Sequence, residues 1–249
     1  MNIHMNQWRH QRVCQCSGTV LTNDLEKEKD QAFDQLNLFK DLGASCLAYG
    51  ETAGTIQNVR HAALDTKIKI HHEDFKEYGK KLTAFAEYCA EFNMPISFHH
   101  HMGTAIETEE ELDNLMNNTG EAVQLLFDTG HMTFARGNSL NVIKKYAKRI
   151  NHVHTKDIRS EVINSLDKSN ESFLDSVLKG AFTVPGDGNI NFKEIVEVLA
   201  QNNYQGWFIV EAEQDPAKAN PFEYAKIGYK ELVECLNLHG YQIEEYRNE

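Results

Sequence analysis

The stretch LLFDTGHMTFARGN, residues 125–138, sets a carboxylate and an imidazole directly after an apolar run. Leu125, Leu126 and Phe127 read as core, and then come Asp128, Gly130 and His131. The pattern recurs along the chain. PISFHHH ends in His99, His100 and His101; INHVHTKDIR carries His152 and His154, then Lys156, Asp157 and Arg159. GWFIVEAE carries Glu211 and Glu213, and ASCLAYGE ends on Glu51. Side chains of these types hold divalent cations or move protons. Imidazole nitrogens mixed with carboxylate oxygens suit Mn²⁺, Co²⁺, Fe²⁺ or Zn²⁺ better than Ca²⁺ or Mg²⁺, which prefer all-oxygen shells. Taken singly, each residue has an ordinary structural explanation. An aspartate at a strand end caps the next helix, a core histidine is usually hydrogen-bonded structure, Asp187 fits a turn, and Lys156 with Arg159 fits a surface ion pair. Their joint recurrence at four strand ends favours one shared site.

Short apolar runs must position these groups. Residues 44–50, 95–100, 122–128, 150–155 and 206–213 read as strands, with a weaker one near 12–17. In a strand, alternate side chains share a face. His99 and His101 therefore point one way and His100 the other. His152 and His154 share a face, with His154 nearer the carboxyl end and preferred as a ligand; Glu211 and Glu213 also share one. Helical periodicity fills the intervals: 22–43 with caps at Asn23 and Asp24, 74–92, 108–120 with a capping box from Thr108 to Glu111, 138–148, 191–203 and 222–240. Runs alternating with helices read as parallel strands with helical crossovers, and such folds bind ligands at the carboxyl ends of their strands. About five or six βα units are present where a closed barrel needs eight. The expected fold class is α/β, a TIM-type (β/α) barrel that is incomplete, lacking about two N-terminal βα units, in a single domain over 1–249. Two long segments, 52–61 and 157–190, are expected to cover the site as lids.

Bulk composition narrows the partners. Asp and Glu number 37 against 25 Lys and Arg, a formal charge of −12, which argues against a phosphate backbone as ligand. No run of 18 apolar residues proposes a membrane span, and MNIHMNQWRH lacks an apolar signal core, so a cytoplasmic protein is expected. Five scattered cysteines, with only Cys14 and Cys16 close together, read as reduced thiols. The sequence leaves assembly into a homo-oligomer open.

FHHHMGTAIETEEELDNLM, LLFDTGHMTFARGN, INHVHTKDIR, GAFTVPGDGNINF and GWFIVEAEQDPAKANPFEYAKIGYKEL together resemble the inosose dehydratases of inositol catabolism. That family sits in the sugar phosphate isomerase/epimerase superfamily of xylose isomerase-like TIM barrels, alongside endonuclease IV. The resemblance is dense over 95–235 and loose over 1–94. It implies two further βα units at the front of the family's barrel. It implies a metal held by Asp128, His154 and Glu211, with His99 where related epimerases place a glutamate and His101 as the fallback. His131, Lys156, Arg159 and Glu51 are expected to bind substrate, with Arg159 one residue out of register with the superfamily's substrate arginine. Glu211 or Glu213 is expected to transfer the proton, with His131 or His101 assisting the hydroxyl. The implied reaction is metal-dependent loss of water from 2-keto-myo-inositol (scyllo-inosose), giving a trihydroxycyclohexane-1,2-dione, with Mn²⁺ or Co²⁺ and glutathione as an added cofactor. Three alternatives stand beside it: another isomerase, epimerase or dehydroshikimate dehydratase of the superfamily, an endonuclease IV-like nuclease, or an inactive fragment that keeps the metal site.

Overall fold

Every apolar run named above, the weakest included, holds a strand, and the strands alternate with helices. The computed structural model describes residues 2–4 and 13–244. Its strands are β1 (Asn2–His4), β2 (Val13–Gly18), β3 (Cys46–Glu51), β4 (Ile96–His99), β5 (Val123–Asp128), β6 (Ile150–Thr155), β7 (Asp157–Ile158), β8 (Phe182–Thr183), β9 (Trp207–Val210) and β10 (Gln242–Glu244). The helices are α1 (Leu25–Asp41), α2 (Phe75–Glu91), α3 (Glu109–Asn118), α4 (Thr129–Phe134), α5 (Ser139–Tyr146), α6 (Ser160–Ser165), α7 (Phe173–Leu178), α8 (Phe192–Gln201) and α9 (Pro221–Leu238). The weak expectation near 12–17 coincides with β2, although the side chains of Cys14 and Cys16 lie outside the described residues.

Among the described residues one sheet runs β10-β1-β9-β6-β5-β4-β3-β2, and every strand pairing in it is parallel. Among the described residues β2 and β10 are its two edges and do not pair, so the barrel is open. Alternation assigns the two faces. Leu47, Tyr49, Ile96, Phe98, Leu125, Phe127, Val153 and Phe208 join the main core with Leu82, Phe85, Leu115 and Leu199 of the surrounding helices. The other phase of the strands carries Ser97, His99, Leu126, Asp128, His152 and His154 to the inner face. Register then sets neighbours: Asp128 lies opposite His154, and His154 opposite Ile209.

The helix starts follow the caps read from sequence. The Asp24 carboxylate accepts from the amides of Glu26 and Lys27, and Thr108 with Glu111 closes a capping box on α3. The 157–190 segment is more than a loop. It holds α6, α7 and an antiparallel ribbon of β7 with β8. Its Ile158, Ile163, Phe173, Ala181 and Phe182 form a second small core with Leu64, Met102 and Phe134. The 52–66 stretch leans on the turn after β4 and on the same cap: the Ile56 amide donates to Gly103, and the Leu64 and Asp65 amides to Glu171 and Lys168. No helix among the described residues is long and apolar enough to cross a membrane.

Candidate metal centre

Asp128 ends β5 with both oxygens spoken for. Its Oδ1 accepts the His131 amide at 3.0 Å, the N-cap bond of α4. Its Oδ2 faces the barrel interior, 2.8 Å from Lys156 Nζ, 3.4 Å from His99 Nε2 and 3.5 Å from His154 Nδ1. Just beyond β9, Glu211 Oε2 lies 2.8 Å from His154 Nδ1 and 2.9 Å from Lys156 Nζ. Asp128, His154 and Glu211 each offer a ligand atom to one point, with all three atoms within 4.8 Å of one another, and His99, Asp128 and His131 do the same.

A neighbouring group sits one layer further out. Glu213 Oε1 is 3.5 Å from His101 Nε2, and its Oε2 is 3.5 Å from His131 Nε2. The His101 ring lies against His131 with centroids 3.7 Å apart. The cap segment supplies an apolar wall, with Phe173 5.4 Å from the His101 ring and Phe182 5.3 Å from the His131 ring.

The donor set suits a divalent ion. Buried His154 Nδ1, Glu211 Oε2 and Glu213 Oε2 lack a hydrogen-bond partner of suitable geometry, although charged atoms lie close by. Buried polar atoms without such partners are costly, and atoms that converge without hydrogen-bond angles are what a cation site offers. Protonation fits as well. Burial pushes the His99 and His131 imidazoles well below their usual value, keeping them neutral and able to ligate. Burial opposes ionisation of Asp128 and Glu211, but the Lys156 ammonium outweighs it and holds both carboxyls well below the carboxylate range. Burial also works against charge on His154; the Glu211 and Asp128 carboxylates overcome it and push that imidazole up to about 9. A cation entering there displaces a proton.

The remaining histidines have other places. His100 turns to the helix side, where its Nε2 accepts the Asp128 amide at 3.2 Å and its ring packs on Phe127; burial lowers it to about 4. His152 lies one layer deeper on the same face as His154, 4.0 Å from Cys46 Sγ, and burial lowers it to about 3.

Glu51, Arg159 and Lys156, all expected to contact substrate, are placed differently. Glu51 has the strand phase of Leu47 and Tyr49, so it faces the helices. Its carboxylate there accepts from the Leu21 and Ala53 amides and the Tyr78 hydroxyl. The Arg159 guanidinium is committed to the cap, donating to Gly180 O, Thr183 Oγ1 and Asp187 Oδ2. Asp157 accepts four backbone amides, from Ile158, Gly186, Gly188 and Ile190. The VPGDG turn thus wraps a buried carboxylate. A Cβ at Gly188 would lie 2.4 Å from Asp157 Oδ1, which restricts that position to glycine. Lys156 is neither a surface ion pair nor free to clamp a ring hydroxyl: its side chain is 1% exposed and is held between Asp128 and Glu211.

Comparison with known proteins gives a consistent picture. The model of the xylose isomerase-like TIM barrel family matches residues 18–237. The rhizopine catabolism protein MocC of Rhizobium meliloti is 43% identical over 227 residues, 91% of this chain and 70% of the relative. An inosose dehydratase of Clostridium perfringens is 42% identical over 224 residues, 89% of this chain and 75% of the relative. Among solved structures, the IOLI protein with a bound zinc atom superposes with a TM-score of 0.62 at 17% identity, covering 91% of this chain and 77% of that one. A probable 3-DHS dehydratase, AsbF of Bacillus anthracis, gives a TM-score of 0.58 at 16% identity, covering 88% and 76%. These two structural likenesses speak to the fold.

Proposed function

The chain belongs to the xylose isomerase-like TIM barrel family, among the inosose dehydratases, and from that premise we propose that it is a hydro-lyase removing water from scyllo-inosose. The observation that carries the proposal is that Asp128, His154 and Glu211 offer ligand atoms within 4.8 Å of one another at the strand ends, with His99 Nε2 3.4 Å from Asp128 Oδ2 beside them. The mixed nitrogen and oxygen donors favour Mn²⁺ or Co²⁺, with Zn²⁺ also compatible. The setting is taken to be cytoplasmic. The glutathione implied by the resemblance enters no step of this reading.

The elimination needs three things. A proton must leave the carbon beside the ketone, a hydroxyl must leave the next carbon, and the enolate charge between these events must be stabilised. The product enol then tautomerises to the 1,2-dione. A divalent ion held by the four residues supplies Lewis-acid stabilisation of that charge. Glu211 is committed to the cation position. Glu213 stands free of it, between His101 and His131, and is assigned the base. The proton that Glu213 takes passes through His101 Nε2, 3.5 Å away, to the hydroxyl that departs as water: with Nδ1–H donating to Met102 O at 2.8 Å, Nε2 is the nitrogen free to accept and deliver it. His131, beside both groups, orients a substrate hydroxyl. Phe173 and Phe182 exclude water from the enolate.

The test is direct. Purified protein with Mn²⁺ or Co²⁺ is mixed with scyllo-inosose, and the dione is followed by its absorbance. Metal-dependent formation of dione is expected. No dione with any of Mn²⁺, Co²⁺ or Zn²⁺, or turnover unaffected by a chelator, overturns the proposal.

A further inference from the structure

We propose that Lys156 is a built-in cation that competes with the divalent ion for Asp128 Oδ2 and Glu211 Oε2, and so sets the affinity and charge balance of the centre. The inference rests on reading this site as a metal centre. It concerns a residue whose ammonium stands where a metal's charge would act.

Its position is specific. Lys156 Nζ lies 2.8 Å from Asp128 Oδ2 and 2.9 Å from Glu211 Oε2, the same two oxygens that His99 and His154 approach. The side chain is 1% exposed, so water screens little of its charge. The start of the chain's stem is fixed. Thr129 Oγ1 donates to Lys156 O at 2.6 Å, and Gly130 packs so closely that a Cβ there would fall 2.5 Å from Lys156 Cβ. Only the outer methylenes can swing. A second resting place is within reach: His131 Nε2 lies 3.1 Å from the ammonium and Glu213 Oε2 4.0 Å. A divalent ion binding Asp128 and Glu211 therefore displaces the ammonium toward His131 and Glu213 without expelling it from the site.

The charges fit this arrangement. Asp128, Glu211 and Glu213 are three carboxylates around one ammonium. Lys156 cancels one of the three negative charges, and one divalent ion cancels the other two. Buried charge is tolerated only when compensated, and with His154 neutral as a ligand the lysine and one divalent ion together balance the three carboxylates. The lysine also weakens that ion's binding, because two like-signed charges share the same oxygens.

Zinc affinity, measured by competition with a chromogenic chelator in the absence of substrate, tests this. Lys156→Met should bind Zn²⁺ tighter than the wild type by about tenfold or more. Lys156→Arg, which keeps the charge, should not tighten. Unchanged or weaker binding by Lys156→Met overturns the proposal. A wild-type measurement covers the case in which the variants fail to fold. In protein labelled with ¹³C at the lysine ε-carbons, the Lys156 resonance should move as zinc is added and stop moving at one equivalent. A resonance that stays fixed through saturation overturns it equally. Neither readout uses substrate, so failure here leaves the dehydration assay to decide the reaction by itself.

Discussion

Replacing Asp128 by asparagine separates the two jobs of one side chain. The wild-type carboxylate is fully buried. Asparagine keeps an oxygen that can accept the His131 amide, now at 3.0 Å, so the start of α4 is preserved. The other oxygen becomes an amide NH₂ facing an ammonium at 2.8 Å and ring nitrogens at 3.4 and 3.5 Å. Removing one member of a buried charge pair typically costs about 3–5 kcal/mol. Glu211 still faces Lys156 at 2.9 Å, which places the cost near the lower end, about 3 kcal/mol. For a protein of this size each kcal/mol lowers Tm by about 2–4 °C, so a drop of roughly 6–12 °C is expected in chelator. The variant also loses one of the four proposed ligands. Wild-type protein with Zn²⁺ at a hundredfold excess over Kd should gain about 2.7 kcal/mol, and the variant should gain much less. Thermal melts of both proteins, each with chelator and with zinc, supply all four numbers. A variant that melts within about 2 °C of wild type in chelator, or keeps the full zinc-dependent rise, would refute the reasoning.

Glu213→Gln should lower turnover of scyllo-inosose by about 10²–10⁴-fold, the usual value of a general base, while zinc content by atomic emission stays at the wild-type level; near-normal turnover removes Glu213 from the proton transfer. Glu51→Gln tests the helix-facing placement of that carboxyl through pH. Burial raises the folded pKa of Glu51 above its ordinary value, so its stabilising contribution is complete below the unfolded pKa and disappears as pH rises through the folded one. Melts of wild type and variant at pH 4 and pH 8 should therefore shift in favour of the variant at the higher pH, with turnover unchanged, and a pH-independent difference would contradict the assignment. Arg159→Met frees the β8 end of the cap, so limited proteolysis should cut within 157–190 faster than in wild type while zinc affinity holds; equal cutting rates would show that the guanidinium bonds do not brace it. At Gly79→Ala the new Cβ would meet Asn118 O at 2.1 Å, and denaturant unfolding should report a loss of about 1–3 kcal/mol as α2 is pushed off the end of α3; an unchanged midpoint would mean the two helices separate freely.

The strand-and-helix alternation was legible because periodicity and caps are local. Thr108 and Glu111 announce α3 within four residues, and VQLLFD can bury both faces only inside a sheet. The phase of each strand was also readable. Glu51 shares its phase with Leu47 and Tyr49, and counting alternate residues would have turned it toward the helices before any coordinates. The cap segment was less legible for the opposite reason. Its second core joins Leu64 and Met102 to Phe173 and Phe182 across 71 to 118 residues, and no local pattern encodes such a pairing. The commitments of Arg159 and Asp157 depend on the same distant turn, so their chemistry looked free in sequence while their donors and acceptors were already spent.

The burial of Lys156 was illegible for a different physical reason. A lysine two residues beyond a strand histidine reads as surface, because an ammonium is almost never fully buried without partners. Here the partners come from β5 and from the residues after β9, and only the parallel pairing of β5, β6 and β9 brings them together. Asp128 makes the complementary point. A helix-capping aspartate and a site aspartate look like rival explanations of one residue. A carboxylate has two oxygens, however, and a sharp strand-to-helix turn aims them apart. Oδ1 takes the amide three residues on, and Oδ2 is left facing His99, His154 and Lys156. The cap bond fixes the carboxylate plane, so the oxygen left over is held in place at no further entropic cost. The spacing from Asp128 to His131 is the spacing of that bond, so the imidazole is carried into the site on the residue whose backbone amide closes the cap.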